Sequence, residues 1–296
     1  MPPPLKILPL TSEDISCVTN WARIEGFAPG VGDVSIFRHT DRQGLWVAWL
    51  NNEPIGCIAG VRYNRFYGFI GLFLVVSKYR GNGYGVKLWR HALDHLSDLP
   101  CIGLEAATER INDYAFWGFN PSSSTTRWQW DGTEKNLSTL KDIQVENKGL
   151  ILLEGSSIPS EAIQIYDAKR EPSPRPHFIS DWLHHPAGKV MALTDNKGHC
   201  HGFGRIRPCL LPKDEGWRIG PLLADTPELA QLLLSHLMDR HQGAILFDSP
   251  GANPFVKPLL ERLGFNIVSE TLRMYKGKQP PISMNEVYGL ACLELG

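Results

Sequence analysis

Residues 72–89 read LFLVVSKYRGNGYGVKLW. Five apolar residues, Leu72 to Val76, run into Arg80-Gly-Asn-Gly-Tyr-Gly85, and helical spacing begins at once. A helix N-terminus leaves its first N–H groups without partners and carries a partial positive charge. Glycines there let an anion approach the backbone closely. An arginine adds a fixed charge with donors suited to phosphate. One glycine suffices for a tight strand-to-helix turn. Three at alternate positions behind Arg80 point instead to a cradle for a pyrophosphate. A P-loop requires GxxxxGK[ST], and Lys87 is followed by Leu88. The dinucleotide fingerprint GxGxxG also fails, since Gly81, Gly83 and Gly85 give GxGxG behind a late strand.

The surrounding chain has 296 residues, enough for two ordinary domains. Apolar residues make up 43%, charged residues 21%, and the formal net charge is -1. That balance gives no reason to expect nucleic acid or an anionic membrane as partner. The apolar runs are too short for a bilayer span, and MPPPLKILPL lacks a signal-peptide core. Six cysteines at 17, 57, 101, 200, 209 and 292 form no CxxC pair, which fits a reducing cytoplasm.

Periodicity and turn residues predict two halves with the same element order. In the first, strands near 5–8, 44–50, 54–63 and 69–76 precede a helix over 84–96. A strand at 101–106, a helix into Trp117 and a strand at 125–130 follow. In the second, 150–153 is apolar and helices fit 160–169 and 175–183. Strands fit 189–194, 200–206 and 217–224. Thr226-Pro-Glu228 starts a helix with threonine as N-cap and proline just inside. A strand at 244–247 and a helix at 254–263 complete the order. Phe116-Trp-Gly-Phe119 and Arg262-Leu-Gly-Phe265 put the halves in register. The expected fold is α/β, a mixed sheet with helices, duplicated: residues 1–132, a polar connector at 133–148, and 149–296.

Arg80, Gly83 and Gly85, between an apolar strand and a helix, resemble the (Arg/Gln)-x-x-Gly-x-(Gly/Ala) hallmark of the GNAT family, the acetyl-CoA-dependent N-acetyltransferases. The resemblance covers residues 5–131, and the second half fits the element order as a divergent copy. It implies that backbone at Leu74, Val75 and Val76 meets the pantetheine arm. It also implies that Arg80, Gly81, Asn82, Gly83, Tyr84 and Gly85 take the pyrophosphate of acetyl-CoA. The tyrosine four residues before the Gly-Phe pair, Tyr114, would give a proton to the leaving thiolate. The acceptor amine must lose a proton, and a carboxylate can take it. Glu25, in a Gly/Pro-rich loop, and Glu105, on the fifth strand, are the candidates, with Asp33 a third.

The expected activity is acetyl transfer to a primary amine of a small molecule or a lysine side chain, by a cytoplasmic monomer or homodimer needing no metal. The alternative is a non-catalytic acyl-CoA-binding or scaffolding protein. In the second half, Gly220-Pro-Leu-Leu-Ala-Asp-Thr-Pro-Glu228 lacks the hallmark. Its Asp225 and Glu228 put negative charge where a pyrophosphate would sit, and Leu260 stands where Tyr114 does. That half is expected to shape the acceptor pocket without binding CoA. His199 and His201 share a strand face, but no second ligand cluster lies near. Arg273-Met-Tyr-Lys-Gly277 reads as a solvated basic face.

Overall fold

The computed structural model describes residues 4–132, 149–239 and 241–296; the expected connector lies outside them. The first half supplies β1 (Lys6–Pro9), α1 (Ile15–Ile24), α2 (Asp33–Thr40), β2 (Leu45–Leu50), β3 (Glu53–Arg62) and β4 (Tyr67–Val75). It continues with α3 (Tyr84–His95), β5 (Cys101–Ala107), α4 (Ile111–Phe116) and β6 (Asn120–Trp130). The second half supplies β7 (Leu150–Glu154), α5 (Ser160–Ala168), α6 (Pro176–His184), β8 (Lys189–Asp195), β9 (Cys200–Leu210) and β10 (Glu215–Ala224). Then come α7 (Pro227–Met238), β11 (Ile245–Pro250), α8 (Val256–Arg262), β12 (Asn266–Gly277) and β13 (Val287–Gly289). The α/β class and the duplication are as the sequence indicated.

The start and stop signals act through identifiable bonds. Thr226 Oγ1 accepts from Leu229 N at 3.4 Å, and Pro227 opens α7. The two Gly-Phe pairs are the same C-terminal cap. Phe119 N donates to Tyr114 O at 3.1 Å and Phe265 N to Leu260 O at 3.0 Å, with Gly118 and Gly264 left-handed. The pairing of Tyr114 with Leu260 is therefore structural as well as a matter of spacing.

The strands form one sheet in the order β1-β2-β3-β4-β5-β12-β6-β11-β10-β9-β8-β7. The halves exchange their last strands. β12 lies between β5 and β6, pairing Arg273 with Glu105, and β6 pairs with β11, setting Arg127 beside Asp248. The segment Arg273 to Gly277 is thus the end of an interior strand. Arg273 is buried with its Nε 2.6 Å from Glu105 Oε1, which replaces the solvated face expected from its charge.

Each sheet face buries alternate residues. On one face α1, α2, α5 and α6 share a single core reaching across both halves, with Val18, Phe37, Ile163 and Trp182 among its members. On the other face α3 covers the first half and α7 the second. Two buried carboxylates brace the join. Arg207 grips Asp33 with two bonds of 2.8 Å, and Asp248 accepts from both Arg127 and Arg218. Among the described residues no helix is long and apolar enough to cross a membrane.

Candidate active site

β4 and β5 run parallel and pair from Tyr67↔Cys101 to Ile70↔Leu104. Beyond Ile70 they diverge. A bulge at Leu72, where φ is +45°, turns β4 away while it stays paired to β3. A bulky side chain rarely holds such a backbone angle. The bulge leaves the β5-facing edge of β4 open over Phe73, Leu74 and Val75. A cleft of about 1360 Å³ opens from this gap.

The glycine loop closes one end of the cleft. Gly81 and Gly83 are both left-handed at φ +78°, and a Cβ on either would meet nothing within 4 Å. Their bare faces line open space. Gly83 is the N-cap of α3, so the free first-turn N–H groups of that helix face the same space. Asn82 Nδ2 donates back to Arg80 O at 3.0 Å and holds the loop shape. Arg80 Nε donates to Val75 O at 2.7 Å, and one of its terminal nitrogens is ion-paired to Glu25. These features fit a pyrophosphate and its pantetheine arm: a bare, cationic helix N-terminus continues into an unpaired strand edge.

Tyr114, on α4, lines the same cleft. Its ring packs on Trp89 at 5.0 Å. Burial pushes its phenol up to about 12.

The three carboxylates named from sequence have different surroundings. Glu25 lines the cleft at the end of α1 but is turned to Arg80. Glu105 also lines it, yet its carboxylate accepts from Arg273 Nε at 2.6 Å, Thr125 Oγ1 at 3.0 Å and Thr271 Oγ1 at 3.1 Å. These three bonds tie the carboxylate into the wall of the cleft and use up most of its acceptor sites. Asp33 is buried outside the cleft, committed to Arg207. Val76 lies outside the lining too, since its N–H is spent on Ile55 O at 2.9 Å; Phe73 takes its place.

The second half has the same splay and fills it. β10 and β11 pair only from Trp217↔Ile245 to Ile219↔Phe247. In the gap beyond, β13 lies against β10 at Leu222 and Leu223, and Leu290 N donates to Asp248 O at 2.9 Å. Asn253 Nδ2 clamps Val287 O at 2.9 Å. The slot that stands open in the first half is occupied in the second by the chain's own tail. His199 and His201 bond to Asp195 and Asp225, at 3.0 and 2.8 Å.

The comparisons with known proteins agree with this geometry. Residues 16–119 match the acetyltransferase (GNAT) family and residues 163–289 the acetyltransferase (GNAT) domain. The chain belongs to the GNAT acyltransferases, as a tandem of two such domains. The holothin acyltransferase of Pseudoalteromonas sp. (strain SANK 73390) is 27% identical over 97% of this chain and 93% of its own length. A putative acetyltransferase from Pyrococcus horikoshii superposes with a TM-score of 0.78 at 21% identity, covering 99% of this chain and 96% of that one. A tandem GNAT protein from the clavulanic acid biosynthesis pathway gives 0.64 at 14% identity, covering 95% and 100%.

In this tandem GNAT chain the cleft also takes residues that the sequence reading passed over. Phe73 follows the bulge. Arg127 reaches in from β6 and donates to Gly26 O and Phe27 O at 3.3 Å each, fixing the loop after α1. Leu293 and Glu294 arrive with the tail. The tail's signal was present as a second apolar run, Val287 to Leu295, carrying one carboxylate.

Proposed function

We propose that this chain is an acetyl-CoA-dependent N-acetyltransferase acting on the primary amine of a small, cationic acceptor, with one working site, in the first half. The observation that carries the reading is the open β4–β5 splay ending on the bare Gly81–Gly85 helix start, with the Tyr114 phenol lining the same cleft. The thioester supplies an acyl carbon activated for attack by a neutral amine.

The chain's residues divide the remaining work. N–H groups at the start of α3 and the glycine loop hold the pyrophosphate. The unpaired edge of β4 holds the pantetheine arm, and its N–H groups at the bulge polarise the thioester carbonyl. Tyr114 keeps its proton through the neutral and alkaline range and gives it to the departing sulfur. At the far end Glu105, Glu270 and Glu294 line the cleft. Arg127 is matched there by Asp248 and Glu105 by Arg273, so Glu270 and Glu294 carry the negative charge. This acidic end favours an acceptor that arrives as an ammonium ion. The named acceptor of the relative, holothin, belongs at the head of the panel to be screened.

The test is thiol release from acetyl-CoA with a panel of amines, alongside calorimetry. Tyr114→Phe should lower kcat about 10²-fold while leaving acetyl-CoA affinity unchanged. Unchanged kcat would remove Tyr114 from the chemistry. A folded wild-type chain that does not bind acetyl-CoA would overturn the reading as a whole.

A further inference from the structure

The chain's tail crosses from the second half into the first. After β13 fills the second-half slot, the tail passes over β4, and Glu294 O comes so close that a Cβ on Gly71 would lie 1.9 Å from it. Gly71 directly precedes the bulge that opens the splay. Glu294 and Leu293 therefore reach the cleft where β4 and β5 part, beside the place where an acyl carbon must sit.

The Glu294 side chain is only 7% exposed. Its Oε1 stands 3.5 Å from Arg218 Nη1, too far for a well-made ion-pair hydrogen bond. Arg218 is already engaged, through 2.7 Å to Asp248 Oδ2 and 3.2 Å to Ala28 O. Glu294 Oε2 is buried with no hydrogen-bond partner among the described residues. Buried polar oxygens are almost always satisfied, and an exception calls for a ligand or a water. The other cleft carboxylates lack this combination. Glu25 is paired to Arg80, Glu105 has three donors, Glu270 is exposed and touches Thr126 Oγ1 at 3.5 Å, Glu109 is exposed, and Asp113 is exposed and paired to Arg110.

We propose that Glu294, delivered by the tail of the inactive half, is the catalytic base of the active half. The inference rests on the acetyl-transfer reading above. The acceptor arrives as an ammonium ion and gives one proton to Glu294 Oε2. The neutral nitrogen then attacks the acyl carbon, the N–C bond forms and the C–S bond breaks. Sulfur takes the Tyr114 proton, and Tyr114 regains one from the new amide nitrogen. Glu294 returns its proton to solvent, so each turnover releases one proton. The charged and titratable groups facing Glu294 are Arg218 directly, with Asp248 and Arg127 behind it, and the buried Cys292 thiol two residues earlier on the tail. The second half is thereby a positioning device: its blocked slot anchors the strand that carries the base.

The experiment measures thiol release at saturating acetyl-CoA, with a primary alkylamine as acceptor probe, across the acid and neutral range. It compares wild type, Glu294→Gln and Glu294→Asp, with calorimetry of acetyl-CoA binding for each. Glu294→Gln should lower kcat/KM for the amine about 10²-fold or more and abolish the acid limb of the profile, with acetyl-CoA affinity unchanged. Glu294→Asp should keep the limb with a reduced rate. A Glu294→Gln rate within twofold of wild type, with the acid limb intact, would overturn the assignment. Should that variant not fold, a Glu294→Asp profile identical to wild type in rate and midpoint would overturn it equally. So would a wild type that binds acetyl-CoA yet leaves the alkylamine untouched at every pH, because an unpartnered base serves any primary amine that reaches it. Failure of wild type to bind acetyl-CoA would refute the acetyl-transfer reading instead.

Discussion

Asp248 ties the two halves together, and Asp248→Asn measures how strongly. Its carboxylate accepts from Arg127 Nε at 2.7 Å and Nη2 at 3.0 Å, and from Arg218 Nη2 at 2.7 Å. The side chains of Asp248 and Arg218 are 2% and 1% exposed. Burial alone would raise the carboxyl, but Arg127 and Arg218 outweigh it and hold Asp248 well below the usual carboxylate range. A depressed folded-state value means stability that is complete above the ordinary carboxylate pKa and lost as pH falls through the folded one. The asparagine keeps one acceptor but leaves buried Arg218 and partly exposed Arg127 short of charge. Breaking a buried pair from one side costs about 3 to 5 kcal/mol. That is about a fifth or more of the roughly 5–15 kcal/mol that holds a typical protein folded. Urea denaturation at neutral pH reads it directly, and Arg127→Met in the same chain should recover part of the loss by removing one stranded charge. At acid pH, with Asp248 of the wild type protonated, the difference should shrink. A loss below about 1 kcal/mol at neutral pH would refute the reasoning, because it would mean that water reaches these charges.

Gly83→Ala puts a side chain at φ +78° and a methyl in the cradle. It should cost about 1 kcal/mol of stability and weaken acetyl-CoA about tenfold or more by calorimetry. The full chain should bind one acetyl-CoA and not two, since β13 occupies the second slot; a stoichiometry of two would contradict that occupancy. Glu105→Gln should lower stability by stranding Arg273 yet keep the acid limb of the pH profile, which a pH–rate series checks. Tyr114, pushed up to about 12 by burial, retains its proton below that value, so it should impose no falling alkaline limb on kcat until pH nears 12.

Local patterns were legible because local physics fixes them. The glycine loop, the Thr226-Pro227 helix start and the paired Gly-Phe caps depend on neighbours a few residues away, and each forms as the spacing indicated. The exchange of β6 and β12 was not legible. A strand alternates in the same way whichever partner it meets, and these partners are remote in sequence. Arg273 to Gly277 misled through its charge: a buried arginine is recognisable only once Glu105 stands opposite it. α2 was missed because it starts on left-handed Gly32 without a side-chain cap. The carboxylates named from sequence, Glu25 in its loop and Glu105 on its strand, lie at the cleft, but their partners Arg80 and Arg273 come from distant segments. Glu294 reaches the site only by the path of the tail, which no periodicity reveals.

The strand exchange also sets an order of events during synthesis. As the chain leaves the ribosome, the first half is complete in sequence long before its sheet can close, because β12 must fill the place between β5 and β6. Until then β5 offers an unpaired edge to any neighbouring chain. Closure waits on a contact between segments far apart in sequence, which is slow to form. Two separate copies of such a unit could trade the same strands as a swapped dimer. Joining them in one polypeptide makes that trade intramolecular, and leaves one copy free to lose its own chemistry and serve the other.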